Sequence, residues 1–149
     1  MSASNLTEIE RAAVSFELGN IYSWAQVSAI HQTRNGIYHR KERLISLLTD
    51  FGTFNACYPD ERNESGDQIF YTGNGRRGDQ GLSPGNRAML AAIESQHAVP
   101  LFSKQKVGEW RFEGCWTVKS GEYIFDSNHD RMIWRFVLKK VDEKQNAKS

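Results

Sequence analysis

The chain is poor in the residues that mark several common classes of protein. Of its 149 residues only two are cysteine, Cys57 and Cys115, and three are proline. Two cysteines so far apart match neither a zinc site nor a redox pair, so we expect two free thiols. No apolar run approaches the roughly 20 residues of a membrane span. The first residues lack the basic and apolar blocks of a signal peptide. These absences predict a cytoplasmic protein.

Motifs for catalysis and metal binding are also missing. Neither a Gly-x-Ser-x-Gly nucleophile motif nor a His-Glu-x-x-His motif occurs, and the four histidines show no metal-ligand spacing. Residues 126–130 begin like a calcium loop, but Arg131 stands where the sharp turn needs glycine. We therefore expect no metal, no cofactor and no catalytic set in this chain.

Composition and charge are those of an ordinary globular domain. The net charge is +1, with 39% hydrophobic and 25% charged residues. We expect one domain over residues 1–149, with a core from about 16 to 141, a short helix before it and a frayed, charged tail after it. A balanced charge is unusual for a protein that binds nucleic acid, but arginines cluster at 34–43 and at 76–87.

The residue pattern predicts mostly strands with two helices. A capping box at Thr7–Glu10 opens a helix that ends at Gly19-Asn20, and Ser83-Pro84 opens a second helix that runs to Gln96. Loops are expected at 31–43 and from Cys57 onwards. Strands are expected at 21–30, 44–48, 68–72, 99–102, 109–118 with 123–125 as an extension, and 133–138. The expected fold class is α+β, with a curved, largely antiparallel sheet that closes on itself.

The chemistry that a binding site needs is concentrated between residues 57 and 79. Tyr58 and Tyr71 carry two aromatic faces that can sandwich a single extruded nucleobase. A carboxylate beside the first tyrosine, on Asp60 or Glu61, can accept a hydrogen bond from an exocyclic amine. No other stretch of the sequence combines these groups.

A glycine-rich loop follows the second tyrosine. Gly73–Gly78 fits the pattern G-x-G-x-x-G, but no helix follows at once, which excludes a dinucleotide-binding fold. The loop is either a plain connection or a place where backbone approaches a ligand closely. Arg76 and Arg77 on this loop, and Arg87 in the first turn of the second helix, are candidates for phosphate contacts.

The order of several short motifs resembles the SRA domain (SET- and RING-associated, or YDG, domain). The most specific pair is Tyr-Thr-Gly-x-Gly-x-x-Gly-Asp at 71–79 and Gly-Asn-Arg-Ala at 85–88. The other matching motifs are Phe16-Glu17-Leu18-Gly19, Ile30-His31, Gly36-Ile37, Tyr58-x-Asp60, Leu101-Phe102 and Arg135-Phe136-Val137-Leu138. The resemblance runs from about 16 to 141. It is greatest to the bacterial SRA-like domains joined to HNH nucleases in modification-dependent restriction enzymes.

This resemblance implies a PUA-like β-barrel with flanking helices. It also implies recognition of 5-methylcytosine or 5-hydroxymethylcytosine by base flipping, without catalysis by this domain. The base would stack between rings that match Tyr58 and Tyr71, and the acid that reads its N4 amine matches Asp60, with Glu61 next. The implied base-binding pocket comprises Cys57, Tyr58, Asp60, Glu61, Tyr71, Thr72 and Gly73.

The resemblance further implies double-stranded DNA carrying modified cytosine as the partner. An HNH or other nuclease on another chain or domain would supply any cleavage. In a bacterium the cytoplasmic protein would be associated with the nucleoid. The loop that enters the space left by the base, and the contacts to the DNA backbone, are expected at His31, Gln32, Arg34, Arg76, Arg77, Asn86 and Arg87.

Two other functions remain open from the sequence. A PUA-like module that binds RNA or a modified nucleotide would suit the near-neutral charge. An enzyme acting on the flipped base would use Asp60 or Glu61 as general acid and base. Competition by free nucleoside or single-stranded RNA, and mass analysis of bases after incubation, distinguish these from a reader.

Overall fold

The computed structural model describes residues 16–141. The start of the helix expected to open at Thr7 lies outside these residues. Sheet dominates, with two helices, as the α+β prediction requires. The elements are, in order, β1 (Ile21–Tyr22), α1 (Trp24–Val27), β2 (Ile37–Arg40), β3 (Arg43–Thr49), β4 (Glu61–Arg62), β5 (Gln68–Thr72), α2 (Pro84–Ser95), β6 (Val99–Lys106), β7 (Glu109–Asp126) and β8 (Arg131–Lys140).

The strands form one largely antiparallel sheet. Their order is β2-β3-β6-β7-β8-β5-β4, and β1 pairs with the start of β7. Only the β3–β6 pair is parallel among the pairings of residues 16–141. The long strand β7 pairs with β6 along its first part and with β8 along the remainder, with a register shift between Val118 and Ser120. Such an irregularity bends the strand. The hydrogen-bonded path is open at β2 and β4 rather than closed into a full barrel.

Hydrophobic side chains are buried on both faces of the sheet at β3 and β6. Neighbouring residues of a strand point to opposite faces. Leu47 and Leu101 belong to the larger core cluster, which α2 covers with Ala88, while Leu48 and Phe102 belong to a second cluster. Burial on both faces is what a parallel pair of strands requires.

Helix α2 agrees closely with the sequence prediction. The Ser83 hydroxyl accepts a hydrogen bond from the Asn86 backbone N–H at 3.3 Å, and Pro84 occupies the first turn. The helix ends at Gln96, whose backbone is left-handed with φ 53°. A capping residue and proline are local signals, so tertiary contacts are not needed to predict this boundary.

The strand predicted over residues 21–30 is wrong beyond its first two residues. Ser23 instead caps the short helix α1: its hydroxyl accepts from the Gln26 N–H at 3.2 Å, and the Gln26 side chain accepts from the Ser23 N–H at 2.9 Å. This reciprocal pair of hydrogen bonds outweighs the weak strand preference of the aromatic and β-branched residues. As a consequence Trp24 is carried on a helix.

The loop predicted over residues 31–43 contains strand β2. It forms a hairpin with β3 through Lys41 and Glu42, which both adopt positive φ, 51° and 65°. Two such residues in succession form the turn type that matches strand twist. Neither is glycine or asparagine, so the usual turn signal is missing.

No helix among residues 16–141 is long and apolar enough to cross a membrane.

Candidate nucleic-acid interface

A cavity of about 350 Å³ lies where the ends of β3 and β5 meet the loops that follow them. Its volume falls at the lower end of the roughly 300–1,000 Å³ range of small-molecule sites. Five of the residues expected in the base pocket line it: Tyr58, Asp60, Tyr71, Thr72 and Gly73. The structure therefore brings together two aromatic rings and one carboxylate around a single space.

Tyr71 forms a rigid wall of this cavity. Its ring is buried in the larger core cluster, and its hydroxyl lies 2.8 Å from the Leu48 carbonyl oxygen and 3.2 Å from that of Gly36. Burial raises the pKa of the hydroxyl well above its usual range, so it stays a hydrogen-bond donor. A Cβ on Gly36 would come within 3.0 Å of this hydroxyl. The strand and its partners thus fix the ring in place.

Asp60 places a buried acid at the cavity. Its carboxylate accepts hydrogen bonds from the Thr49 hydroxyl and from the Thr72 backbone N–H, each at 2.6 Å. Burial raises its pKa from 3.8 to about 6, although both hydrogen bonds and the charge of Arg135 act in the opposite direction. Each carboxylate oxygen can accept a further hydrogen bond, so the group can still receive one from a ligand.

Arg135 holds the Asp60 segment against the sheet. Its Nη1 donates to the Pro59 carbonyl oxygen at 2.7 Å and to the Thr72 hydroxyl at 3.2 Å. Its guanidinium also lies 5.8 Å from the centre of the Phe70 ring. The fork of an arginine can bridge several acceptors at once, and here it connects the loop that carries the acid to strands β5 and β8.

Tyr58 also lines the cavity, where it contacts the backbone of the glycine-rich loop at Gly75. It is half-buried, and burial raises the pKa of its hydroxyl, while a hydrogen bond from the Gly75 backbone and the charges of Arg131 and Arg76 partly offset that rise. Unlike Tyr71, it belongs to neither of the two core clusters. Its ring is therefore the more accessible of the two.

Arg131 joins the loop of Tyr58 to the glycine-rich loop. The side chain is buried, and it donates to the carbonyl oxygens of Gly75 and Cys57, both at 2.7 Å, and to that of Gly78 at 3.3 Å. These bonds hold two walls of the cavity at a fixed separation. The sequence carried no signal of this role, because the three acceptors are backbone atoms more than 50 residues away.

Asn86 was expected to contact the DNA backbone, but the structure places its side chain in the interior. Its side chain is fully buried; its Oδ1 accepts from the Asn74 N–H at 2.7 Å, and its Nδ2 donates to the carbonyl oxygens of Asn74 and Gly81. Gln80 has a similar role, since it donates to the Gly73 carbonyl oxygen at 2.7 Å. Both amides shape the glycine-rich loop from within.

Replacing Gly73 with alanine is expected to destabilise the protein by about 1–3 kcal/mol, because an added Cβ overpacks the site. That Cβ would come within 2.7–2.8 Å of Trp134, Asn86 and Gln80. Gly81→Ala is the matched control, since a Cβ there meets nothing within 4 Å. Urea unfolding measures both variants. Equal stability of the two would show that the loop absorbs the extra atom.

His31 is a second correction among the expected DNA contacts. The ring is fully buried, and burial lowers its pKa to about 4, so it is neutral at pH 7. Nε2 lies 2.5 Å from the Asn35 carbonyl oxygen, which can only accept, so Nε2 carries the proton. Nδ1 then accepts from the Ser46 hydroxyl at 2.7 Å. His31 therefore fixes the loop before β2 from the interior of the fold, rather than presenting its ring at the surface.

Two residues expected in the base pocket lie outside it. The Glu61 side chain is 72% exposed on β4, with its carboxylate 3.8 Å from Arg135. Cys57 is half-buried, and its contribution is the carbonyl oxygen that Arg131 binds. The sequence left two acids open, and of these Asp60 is the one that faces the cavity.

The remaining expected contacts lie on the surface. Gln32, Arg34, Arg76, Arg77 and Arg87 are exposed. Among these, Arg34 and Arg76 line the cavity itself. Within residues 16–141 no cluster of three or more histidine, cysteine, aspartate or glutamate side chains is placed to hold a metal ion.

Two tryptophans also line the cavity. Trp24 on α1 and Trp110 on β7 are half-buried, and their ring centres are 5.5 Å apart. The guanidinium of Arg34 lies 4.4 Å from the centre of the Trp24 ring. The even spacing of tryptophans along β7 indicates one sheet face, but it does not say that part of this face meets a cavity.

The family model described as "ScoMcrA-like, SRA domain" matches residues 25–148. The chain therefore belongs to the ScoMcrA-like SRA domain family, as the resemblance of its motifs predicted. No protein of curated function matches the chain.

Several solved structures of SRA-containing proteins have a similar fold. The SUVH5 SRA domain in complex with hemi-methylated CG DNA is 23% identical, with a TM-score of 0.71, over 85% of this chain and 89% of that one. SUVH5 SRA bound to fully hydroxymethylated CG DNA is 22% identical, with a TM-score of 0.69, over 84% and 89%. The modification-dependent restriction endonuclease TagI is 23% identical, with a TM-score of 0.70, over 88% of this chain and 52% of that one. At these identities the likeness shows the fold alone.

Proposed function

We propose that this chain is a DNA-binding reader that takes a modified cytosine, flipped out of duplex DNA, between Tyr58 and Tyr71. The observation that carries this proposal is the buried carboxylate of Asp60 at a cavity lined by both tyrosines. Membership of an SRA family supports it, as does likeness to SRA domains solved with methylated and with hydroxymethylated DNA.

The two rings provide the energy for extruding the base. Unstacking and unpairing one base costs a few kcal/mol. Stacking on an aromatic side chain returns about 1–3 kcal/mol per base. Tyr58 and Tyr71 together can therefore roughly offset the extrusion. Because Tyr71 is held by its hydroxyl bonds, little freedom is lost when a base stacks on it.

The carboxylate of Asp60 selects cytosine over thymine. It accepts a hydrogen bond from the cytosine N4 amine, whereas thymine presents a carbonyl oxygen at that position. Two acceptors that face each other in a dry pocket are costly. With a pKa of about 6, the acid is mostly ionised at neutral pH and can serve as acceptor.

The 5-substituent decides between modified and plain cytosine. A methyl group buried in a fitted space contributes about 0.8 kcal/mol, or roughly fourfold in affinity. A hydroxymethyl group needs a polar partner as well, and the side chains of Thr72, Asn74 and Asn55 line the same cavity. Both 5-methylcytosine and 5-hydroxymethylcytosine are therefore candidate ligands.

Cleavage, in this proposal, belongs to an HNH or other nuclease rather than to this domain. Likeness to TagI, of which the chain covers about half, supports a place in modification-dependent restriction. The reader would then deliver the nuclease to modified DNA, and would itself bind and release without changing the base.

The test is an anisotropy titration with matched duplexes that carry cytosine, 5-methylcytosine or 5-hydroxymethylcytosine at one position. We expect at least one modified duplex to bind about fourfold or more tightly than the plain one. Arg76→Ala serves as the control: it should weaken all three alike and reduce the salt dependence, because phosphate contacts carry no sequence information. Equal affinity of the wild type for the three duplexes would defeat the proposal. Competition by free nucleoside would point to a nucleotide-binding module instead.

A further inference from the structure

The cavity has an aromatic surface that the flipped base does not use. Trp24 and Trp110 line it from α1 and β7, with ring centres 5.5 Å apart and planes at 46°. We call this pair the tryptophan shelf. The proposed base pocket needs only the two tyrosines and Asp60. A pyrimidine base is also much smaller than the ligands that usually occupy a cavity of about 350 Å³.

Core packing and strand pairing hold the two rings of the tryptophan shelf in place. Both tryptophans pack against the second core cluster, which includes Val27 and Phe112. Trp24 opens the capped helix α1, and Trp110 pairs across strands with Tyr22 on β1 and Lys104 on β6. A base that stacks on these rings would therefore not have to order a flexible side chain first.

Two cationic side chains line the cavity together with the tryptophan shelf. The guanidinium of Arg34 lies 4.4 Å from the centre of the Trp24 ring, and the Lys104 ammonium lies 4.7 Å from the centre of the Phe54 ring. Aromatic faces beside cations are the combination that binds a base together with its phosphates.

We propose that the tryptophan shelf is a second stacking subsite, which holds a nucleobase next to the flipped one, while Arg34 and Lys104 contact the flanking phosphates. This inference rests on the proposed reader function and extends it. Stacking tolerates any base, because every base has an aromatic face. The shelf therefore adds affinity for DNA without adding preference for the modified base.

Paired substitutions separate stacking from packing. Trp110→Leu keeps apolar bulk on the second cluster and removes the aromatic face, whereas Trp110→Phe keeps a face. We expect the leucine variant to bind modified and plain duplexes about 5- to 150-fold more weakly, with their ratio unchanged. The phenylalanine variant should lose much less. Urea unfolding of both variants shows whether the leucine variant remains folded under the binding conditions.

A second measurement locates the stacked base. Duplexes lacking one base, at each position adjacent or opposite to the modified cytosine, are titrated with wild type, Trp110→Leu and Trp24→Leu. At one position, removal of the base should weaken the wild type but not the leucine variants. If no position shows this dependence, or if the leucine variants bind like wild type, the shelf is only part of the core. The wild type could also lose affinity when that base is removed and yet show no preference for modified cytosine. That result would overturn the reader function but support the tryptophan shelf as a stacking subsite.

Discussion

Replacing Tyr58 with alanine is expected to weaken binding to duplexes that carry modified cytosine by about fourfold or more, down to the affinity for plain duplexes, which should change little. The reason is that stacking on one aromatic ring contributes about 1–3 kcal/mol per base. Without it, the cost of extrusion is no longer offset, so the modified base stays in the helix. The measurement is the anisotropy titration with matched plain and modified duplexes.

Tyr58 is a better position for this test than Tyr71. Tyr71 is buried in the larger core cluster, where loss of a large aromatic side chain costs about 3–5 kcal/mol of stability. Tyr58 is half-buried, lies outside both clusters and can be truncated at smaller cost. Tyr58→Phe is the control, because it keeps the ring and should keep the preference. Unchanged preference in the alanine variant would show that the base does not stack there.

Replacing Asp60 with asparagine should abolish the preference for cytosine and remove the loss of stability that ionisation of this buried carboxylate causes as the pH rises to about 6. The Thr72 N–H can only donate, so the amide oxygen must face it. The amide nitrogen then takes the place of the other carboxylate oxygen and meets the N4 amine as a second donor. Since a hydrogen bond to a charged group contributes about 1.5–3 kcal/mol, we expect a loss of about 10- to 150-fold in affinity for modified duplexes.

The dependence of stability on pH follows from the raised pKa of Asp60. Between pH 3.8 and about 6 the native state binds a proton that the unfolded state has released, so stability from this group is greatest below pH 4 and falls up to pH 6. The change corresponds to about 3 kcal/mol. The measurement is the free energy of unfolding in urea for wild type and Asp60→Asn, at pH 4 and at pH 8. Relative to wild type, the variant should be about 3 kcal/mol more stable at pH 8 than it is at pH 4.

Binding should show the opposite dependence on pH. The wild type should lose affinity for modified duplexes as pH falls below about 6, because a protonated Asp60 is a poorer acceptor. The asparagine variant should show no such loss. Glu61→Gln is the matched control, since this neighbouring carboxylate is exposed and outside the cavity. A wild type with the same affinity at pH 5 and pH 8 would argue against an ionised Asp60 in base recognition.

Much of the fold could be predicted because its signals are local. Strand β5 was predicted at its observed bounds, and α2 to within one residue, because alternation, a capping serine and a following proline act over a few residues. The hairpin of β2 and β3 was missed because its turn uses Lys41 and Glu42 at positive φ, for which the sequence has no common signature.

The candidate site could be predicted only in its principal parts. Tyr58, Asp60 and Tyr71 stand in recognisable motifs, and the structure gathers them at one cavity. His31 and Asn86 stand in such motifs too, yet both are buried and serve to hold loops. A motif shows that a residue type is needed, but it does not distinguish contact with a ligand from support of the backbone.

Short motifs and capping residues act within a few positions of the chain, so they were enough to indicate an SRA domain and to single out Tyr58, Asp60 and Tyr71. Three features could be seen only in the folded chain: Asp60 rather than Glu61 faces the cavity, Arg131 joins two of its walls, and Trp24 and Trp110 line it. These properties depend on which distant segments pack together, and the burial of a charge or a ring is settled by that packing.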